Sequence, residues 1–144
     1  MKALYTAVAT ATGGRQGRVR SSDGALAVDL ALPTKLGGPG GAATNPEQLF
    51  AAGYAACFDN AMRRVAREKR TAIGQTSVTA KVGIGRNDAG YYELDVELHV
   101  QLPDLEREVA EQIAADAHRI CPYSNAVRGS LDVKIVVEPA PDVV

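Results

Sequence analysis

Two cysteines, Cys57 and Cys121, have the widest chemical range of any side chains in this 144-residue sequence. As a thiolate, cysteine is a nucleophile and a redox group; in apolar surroundings it is a small, inert hydrophobe. The neighbours decide between the two. Cys57 lies near the end of a run, Leu49 to Phe58, that contains no charged residue. Such surroundings raise a thiol pKa, and a helix dipole helps only within its first turn, whereas Cys57 lies 57 − 46 = 11 residues beyond Pro46. Taken alone, Cys57 reads as a buried core residue, and it becomes reactive only if another part of the chain brings it a positive partner. Cys121 stands directly before Pro122, at the C-terminal edge of a helical pattern, in what reads as a mobile turn where the dipole disfavours a thiolate. A pairing of the two in a reducing compartment would be transient, catalytic or sensing, rather than a permanent staple. His99 and His118 have no ligand cluster around them, so no metal is expected.

The element that must position Cys57 is a helix. Asn45 offers an N-cap, Pro46 suits the first helical position and Glu47 favours the positive end of the dipole. The run from Leu49 to Phe58 has no polar stripe and predicts burial on most sides, while Ala51, Ala52, Gly53, Ala55 and Ala56 allow close approach of another backbone. Polar residues return at Asp59 and Asn60, and the helix should end near Arg70. Before it, residues 3–11 and 25–32 read as strands of an antiparallel meander, with Arg15 near the tip of a Gly-rich turn. The glycines from Gly37 to Gly41 mark a shaped loop without the Gly-Lys-Ser/Thr of a phosphate loop.

After the helix, residues 75–85 and 90–102 alternate around Arg86-Asn87-Asp88-Ala89-Gly90 as a hairpin. Tyr92, Leu94, Val96, Leu98 and Val100 share one face; His99 falls on the solvent face. A second helix starts at Pro103-Asp104 with Leu105, Val109, Ile113, Ala117 and Ile120 on its apolar side. Residues 131–138 form the last strand, and the tail 139–144 should fray. The fold class is α+β, one domain over residues 1–144, with antiparallel sheets and two main helices, the central one buried.

A net charge of −1 without basic runs argues against nucleic acid as a partner. No apolar run is long enough to cross a membrane, and Met1-Lys2-Ala3-Leu4-Tyr5 lacks a signal-peptide pattern, so a cytoplasmic location is expected.

Five segments together closely resemble the organic hydroperoxide resistance (Ohr) branch of the OsmC/Ohr superfamily: Ala9 to Arg15, Leu36-Gly37-Gly38, Thr44 to Tyr54, Ala56-Cys57-Phe58 and Cys121-Pro122-Tyr123-Ser124-Asn125-Ala126. The resemblance runs from about residue 3 to residue 138 and implies an intertwined homodimer. It also implies a thiol peroxidase for organic hydroperoxides, without a bound cofactor, recycled by dihydrolipoyl groups on a lipoylated protein. It matches Cys57 to the peroxidatic cysteine, Cys121 to the resolving cysteine that forms a disulfide with it, Arg15 to the active-site arginine and Glu47 to the glutamate that holds it. Apolar neighbours Leu49, Phe50, Tyr54 and Phe58 would favour a hydrocarbon tail in the substrate, although core packing also explains them. Asp59-Asn60 departs from the small or apolar residues of many relatives. Competing readings are an OsmC-type peroxidase of broader specificity and a non-enzymatic redox sensor. Glu47 and Cys57 are ten residues apart, about 15 Å along an unbroken helix. Either the helix breaks near Gly53, or Glu47 serves the Cys57 of a partner subunit; the second is favoured.

Overall fold

The structure, a computed structural model, describes residues 1–138, so the expected fraying of residues 139–144 lies outside the described residues. The chain falls into two compact units, Met1–Leu49 and Phe50–Val144.

In the first unit, β1 (Ala9–Thr12), β2 (Arg18–Ser21) and β3 (Ala27–Asp29) form an antiparallel meander in that order. The strand expected over residues 3–11 is thus confined to its last part, where pairing with β2 satisfies the backbone. A short 3₁₀ turn, Gly14–Gln16, joins β1 to β2 and carries Arg15. Gly13 and Gly14 take φ of 77° and 59°, a left-handed path that glycine enters without strain. Among residues 1–49 only Leu30 is buried, and all four residues of β1 are exposed.

Helix α1 (Pro46–Glu68) is continuous through Gly53. Its core-facing side is Tyr54, Phe58, Ala61, Met62, Val65 and Ala66, spaced by three, four and one as a single helical face requires. Ala52 and Ala56 on another side are exposed in the single chain.

The second unit also holds a sheet of β4 (Ser77–Arg86), β5 (Tyr92–Gln101) and β6 (Val133–Val137). The β4–β5 hairpin is the expected one, and its turn is fastened by the Asn87 side chain, which accepts from the Ala89 and Tyr91 amides, both at 3.0 Å. Val96, Leu98 and Val100 are fully buried as the alternation predicts, but Tyr92 at the hairpin end is exposed. The sheet is mixed: β6 runs parallel to β5, which requires a crossover between them. Helices α2 (Arg107–Ile120) and α3 (Pro122–Val127) form it.

Three expectations change here. Helix α2 starts at Arg107 with Glu106 as its cap, not at Pro103-Asp104. Its buried stripe is Ala110, Ile113, Ala114 and Ala117, so the seam runs through alanines while Val109 and Ile120 are exposed. Small side chains win the seam because they let the helix lie close. His99 is not free on a solvent face: its ring nitrogens contact Glu97 at 2.9 Å and Glu138 at 2.5 Å, and its side chain is 17% exposed. The unusual Asp59 accepts a 2.5 Å hydrogen bond from Thr76 Oγ1, and Arg63 Nη2 donates to the same hydroxyl at 2.9 Å. This fastens the chain entering β4 to α1.

The shifted stripe makes a direct contrast. Ile113→Ala, at a site 0% exposed, should cost about 2–5 kcal/mol, whereas Val109→Ala should cost under about 1 kcal/mol. Urea midpoints at constant m-value measure both. Equal losses would put the seam back on Val109.

Candidate active site

In the first unit the Gly-rich turn and the start of α1 bring Arg15 and Glu47 together. Asn45 caps α1 by accepting the Gln48 amide at 2.8 Å, and Glu47 sits in the first turn. The Arg15 guanidinium grips it as a fork: Nη1 donates to Oε2 at 2.7 Å and Nη2 to Oε1 at 2.6 Å. The Glu47 side chain is only 13% exposed, against 35% for Arg15. The Arg15 hydrogen bonds hold the Glu47 carboxyl below its ordinary range, outweighing burial. Thirty-two positions separate the two residues, and a forked pair over that span fixes the loop more than it adds stability.

In the second unit the two thiols are neighbours, both unpaired as cysteines. Their burial reverses the expectation from sequence. Cys57 is half-buried, whereas Cys121 is 0% exposed and belongs to the core. Nor is Cys121 in a mobile turn. It ends α2 and caps α3, with its amide bonded to Ala117 O and its carbonyl accepting the Asn125 amide. Pro122 ends one helix and opens the next, since a proline lacking an N–H suits a first helical position. Burial, then the adjacent Cys121 sulfur, push the Cys57 thiol up; the Tyr123 amide, donating to the Cys57 sulfur, pulls it down.

Around the thiols, Phe50, Tyr54 and Tyr123 form an aromatic triangle with ring centroids 6.1, 6.1 and 5.6 Å apart. Of the four apolar candidates, Phe50 is half-buried and part of this wall, and Tyr54 is fully buried in it. Phe58 is enclosed in the core cluster, and Leu49 is half-buried at the end of the first unit. Tyr123 lies over Gly53, where a Cβ would sit 2.7 Å from its hydroxyl. The glycine in the helix therefore admits a ring rather than breaking the helix.

The sequence reasoning missed Tyr123, Ser124 and His118 as members of this cluster. Ser124 is 0% exposed and is bonded to the Tyr54 hydroxyl at 2.6 Å and to His118 Nδ1 at 2.8 Å. Burial pushes the Tyr54 phenol up, and burial together with the Arg128 charge pushes His118 down. A matched spacing was available as a signal: Tyr54 precedes Cys57 by three positions and Ser124 follows Cys121 by three. Among the described residues no three His, Cys, Asp or Glu side chains are placed to hold a metal, and no helix is long and apolar enough to cross a membrane.

The family model for OsmC-like proteins matches residues 38–136. An organic hydroperoxide resistance protein from Xanthomonas axonopodis pv. citri is 50% identical over 137 residues, covering 94% of this chain and 96% of its own length. The organic hydroperoxide resistance protein OhrB of Bacillus subtilis is 45% identical over 135 residues, covering 92% and 97%. A crystal structure of an organic hydroperoxide resistance protein from Legionella pneumophila superposes with a TM-score of 0.91 at 50% identity, covering 95% of this chain and 99% of that one.

The Arg15–Glu47 clamp should weaken in acid. Because the folded carboxyl lies below its ordinary 4.5, the stabilisation is complete above that value and is lost as pH falls through the lower, folded one. The stability gap between the wild type and Glu47→Gln should therefore narrow as pH falls below about 4.5. A gap unchanged over that range in urea titrations would show that the clamp does not lower the carboxyl.

Proposed function

The chain belongs to the OsmC-like family, on its organic hydroperoxide resistance side, and from that premise we propose that it is a cysteine peroxidase reducing organic hydroperoxides to alcohols. The observation that carries the reading is the adjacency of the two free thiols, one half-exposed and one buried behind it. The half-exposed Cys57 is the one a substrate reaches. Its thiolate attacks one peroxide oxygen, the O–O bond breaks, the alkoxide takes a proton and leaves as alcohol, and Cys57 becomes a sulfenic acid. Cys121 then closes a disulfide with it, releasing water. An external dithiol of the dihydrolipoyl type, presented on a lipoylated protein, returns both sulfurs to thiols by exchange. The aromatic wall of Phe50, Tyr54 and Tyr123 gives the sulfur an apolar approach that suits a hydrocarbon peroxide better than hydrogen peroxide.

Burial alone leaves Cys57 a poor thiolate, so the reaction needs a cation, and Arg15 supplies one that does not deprotonate. Glu47 acts through Arg15 by holding its guanidinium. The continuity of α1 from Pro46 to Glu68 supports the second route, in which the Arg15–Glu47 clamp of one subunit serves the Cys57 of a partner in a twofold homodimer. Two features support this assembly. The first unit buries only Leu30 and leaves Met1, Leu4, Tyr5 and Val8 exposed, too little core for 49 residues to be stable unaided. Ala52 and Ala56 leave α1 a smooth exposed strip for close packing.

Cys57→Ser should abolish hydroperoxide consumption, and Cys121→Ser should permit one oxidation, then leave Cys57 to proceed to sulfinic acid, as mass spectrometry would show. Arg15→Ala should raise the Cys57 pKa and slow its oxidation; identical thiol titration curves in the variant and wild type would reject Arg15 as activator. Turnover with an alkyl hydroperoxide and dihydrolipoamide tests the whole reading, and a single oxidation without turnover would make the protein a sensor. For the shared site, Arg15→Ala chains, slowed as homodimers, and Cys57→Ser chains, inactive as homodimers, should form heterodimers with one site of wild-type rate. Heterodimers without that rate would return the clamp to its own subunit's thiol.

A further inference from the structure

Resting on the peroxidase reading, we propose that the buried chain Tyr54–Ser124–His118 is a positioning device that holds Cys121 against Cys57 and sets the rate at which their disulfide closes. Helix α3 is six residues long, too short to hold its own shape. It nonetheless carries Cys121 at its cap, and its place has to be fixed from outside.

Ser124 does this. Its hydroxyl is fully buried, a costly position unless both sides are bonded, and it is bonded at 2.6 Å to Tyr54 on α1 and at 2.8 Å to His118 on α2. Arg128 closes the far end, donating to His118 O at 2.7 Å and to Asn125 Oδ1 at 2.5 Å. Tyr54 and Cys57 lie three residues apart on α1, and Cys121 and Ser124 lie three apart at α3, so each pair stacks on one side of its helix. Two rungs therefore link the helices: the hydroxyl pair Tyr54–Ser124, and one turn away the sulfur pair Cys57–Cys121. Locking the first fixes the spacing of the second.

The step it governs is the condensation after peroxide has reacted. The Cys121 sulfur gives its electron pair to the Cys57 sulfur, the S–S bond forms, and the S–O bond breaks. Hydroxide leaves with the Cys121 thiol proton as water. Cys121 is oxidised and the sulfenic sulfur reduced. No further oxidant enters. A competing second peroxide takes Cys57 to sulfinic acid whenever closure is slow, so the lock decides how much peroxide the protein survives.

Rapid mixing with one equivalent of cumene hydroperoxide separates the two steps: thiol loss at Cys57 reports the first, disulfide formation the second. Ser124→Ala should leave the first within about twofold of wild type, slow closure by about tenfold or more, and raise the sulfinic fraction at Cys57 under excess peroxide. Tyr54→Phe should also slow closure. The double variant should be no slower than Ser124→Ala, because that change already deletes the bond that Tyr54→Phe removes. Ser124→Thr should restore part of the rate, and Val65→Ala, a core change remote from the chain, should leave closure unchanged despite its stability loss. If Ser124→Ala does not fold, Tyr54→Phe and His118→Gln decide the matter by the same closure rate. Closure at the wild-type rate in these variants would overturn the positioning role alone. A wild type that forms neither sulfenic acid nor disulfide would instead overturn the peroxidase reading beneath it.

Discussion

Desolvation holds the Cys57 thiol above its ordinary pKa, and the neighbouring Cys121 sulfur adds to that effect, so positive charge must reach a site whose own helix carries none nearby. Much of the chain's peculiarity follows. The dipole of α1 acts near Pro46, eleven residues too early to help. In the proposed reaction the cation has to be a residue that stays charged when partly enclosed, which favours arginine over lysine or histidine. An arginine on a turn between short strands is floppy unless gripped, and the fork from Glu47 grips it. The glycines at 13 and 14 exist to shape that turn.

The same economy appears at the second thiol. A resolving cysteine in a loose turn would meet its partner slowly, and one locked rigidly in a long helix could not close a bond that needs its sulfur to advance. A six-residue helix between Pro122 and Val127, fastened by one buried serine, sits between these extremes. Gly53 matters to this arrangement as an absence: any larger residue would force the Tyr123 ring to shift from its place over the helix.

The sequence disclosed elements whose signals are local. The Asn45-Pro46-Glu47 start of α1 and the alternation of Val96, Leu98 and Val100 emerged as written, because capping and period-two burial act over a few residues. The α2 stripe did not, because alanine carries little hydrophobic signal although its size suits a close seam. The relative burial of the thiols was also hidden. Cys57 sits in the more apolar stretch yet is half-exposed, while Cys121 beside Pro122 is enclosed, since enclosure depends on α2, α3 and β5 converging rather than on immediate neighbours. Glu138 capturing His99 from just beyond β6 is invisible to alternation for the same reason. The partners of Ser124 come from positions 70 and 6 residues away, and only a three-dimensional register brings them together.

The architecture divides the chemistry between two segments with opposite physical needs. Residues 50–138 build the sulfur pair inside a core of Tyr54, Phe58, Met62 and Leu98, where packing gives precision but removes charge. Residues 1–49 carry the charge on a meander that buries almost nothing, where a guanidinium stays hydrated and ionised at little cost. Putting both demands in one unit would set them against each other, since a core deep enough to fix two sulfurs desolvates an arginine, and a surface wet enough for arginine leaves the sulfurs loose. Separate segments meet each demand in full, and in the twofold assembly proposed above the charge of one subunit reaches the thiol of the other. A meander with a single buried residue is suited to the role proposed for it: without a core of its own, it would be ordered by the partner surface it meets, and its arginine would be placed when the site is assembled.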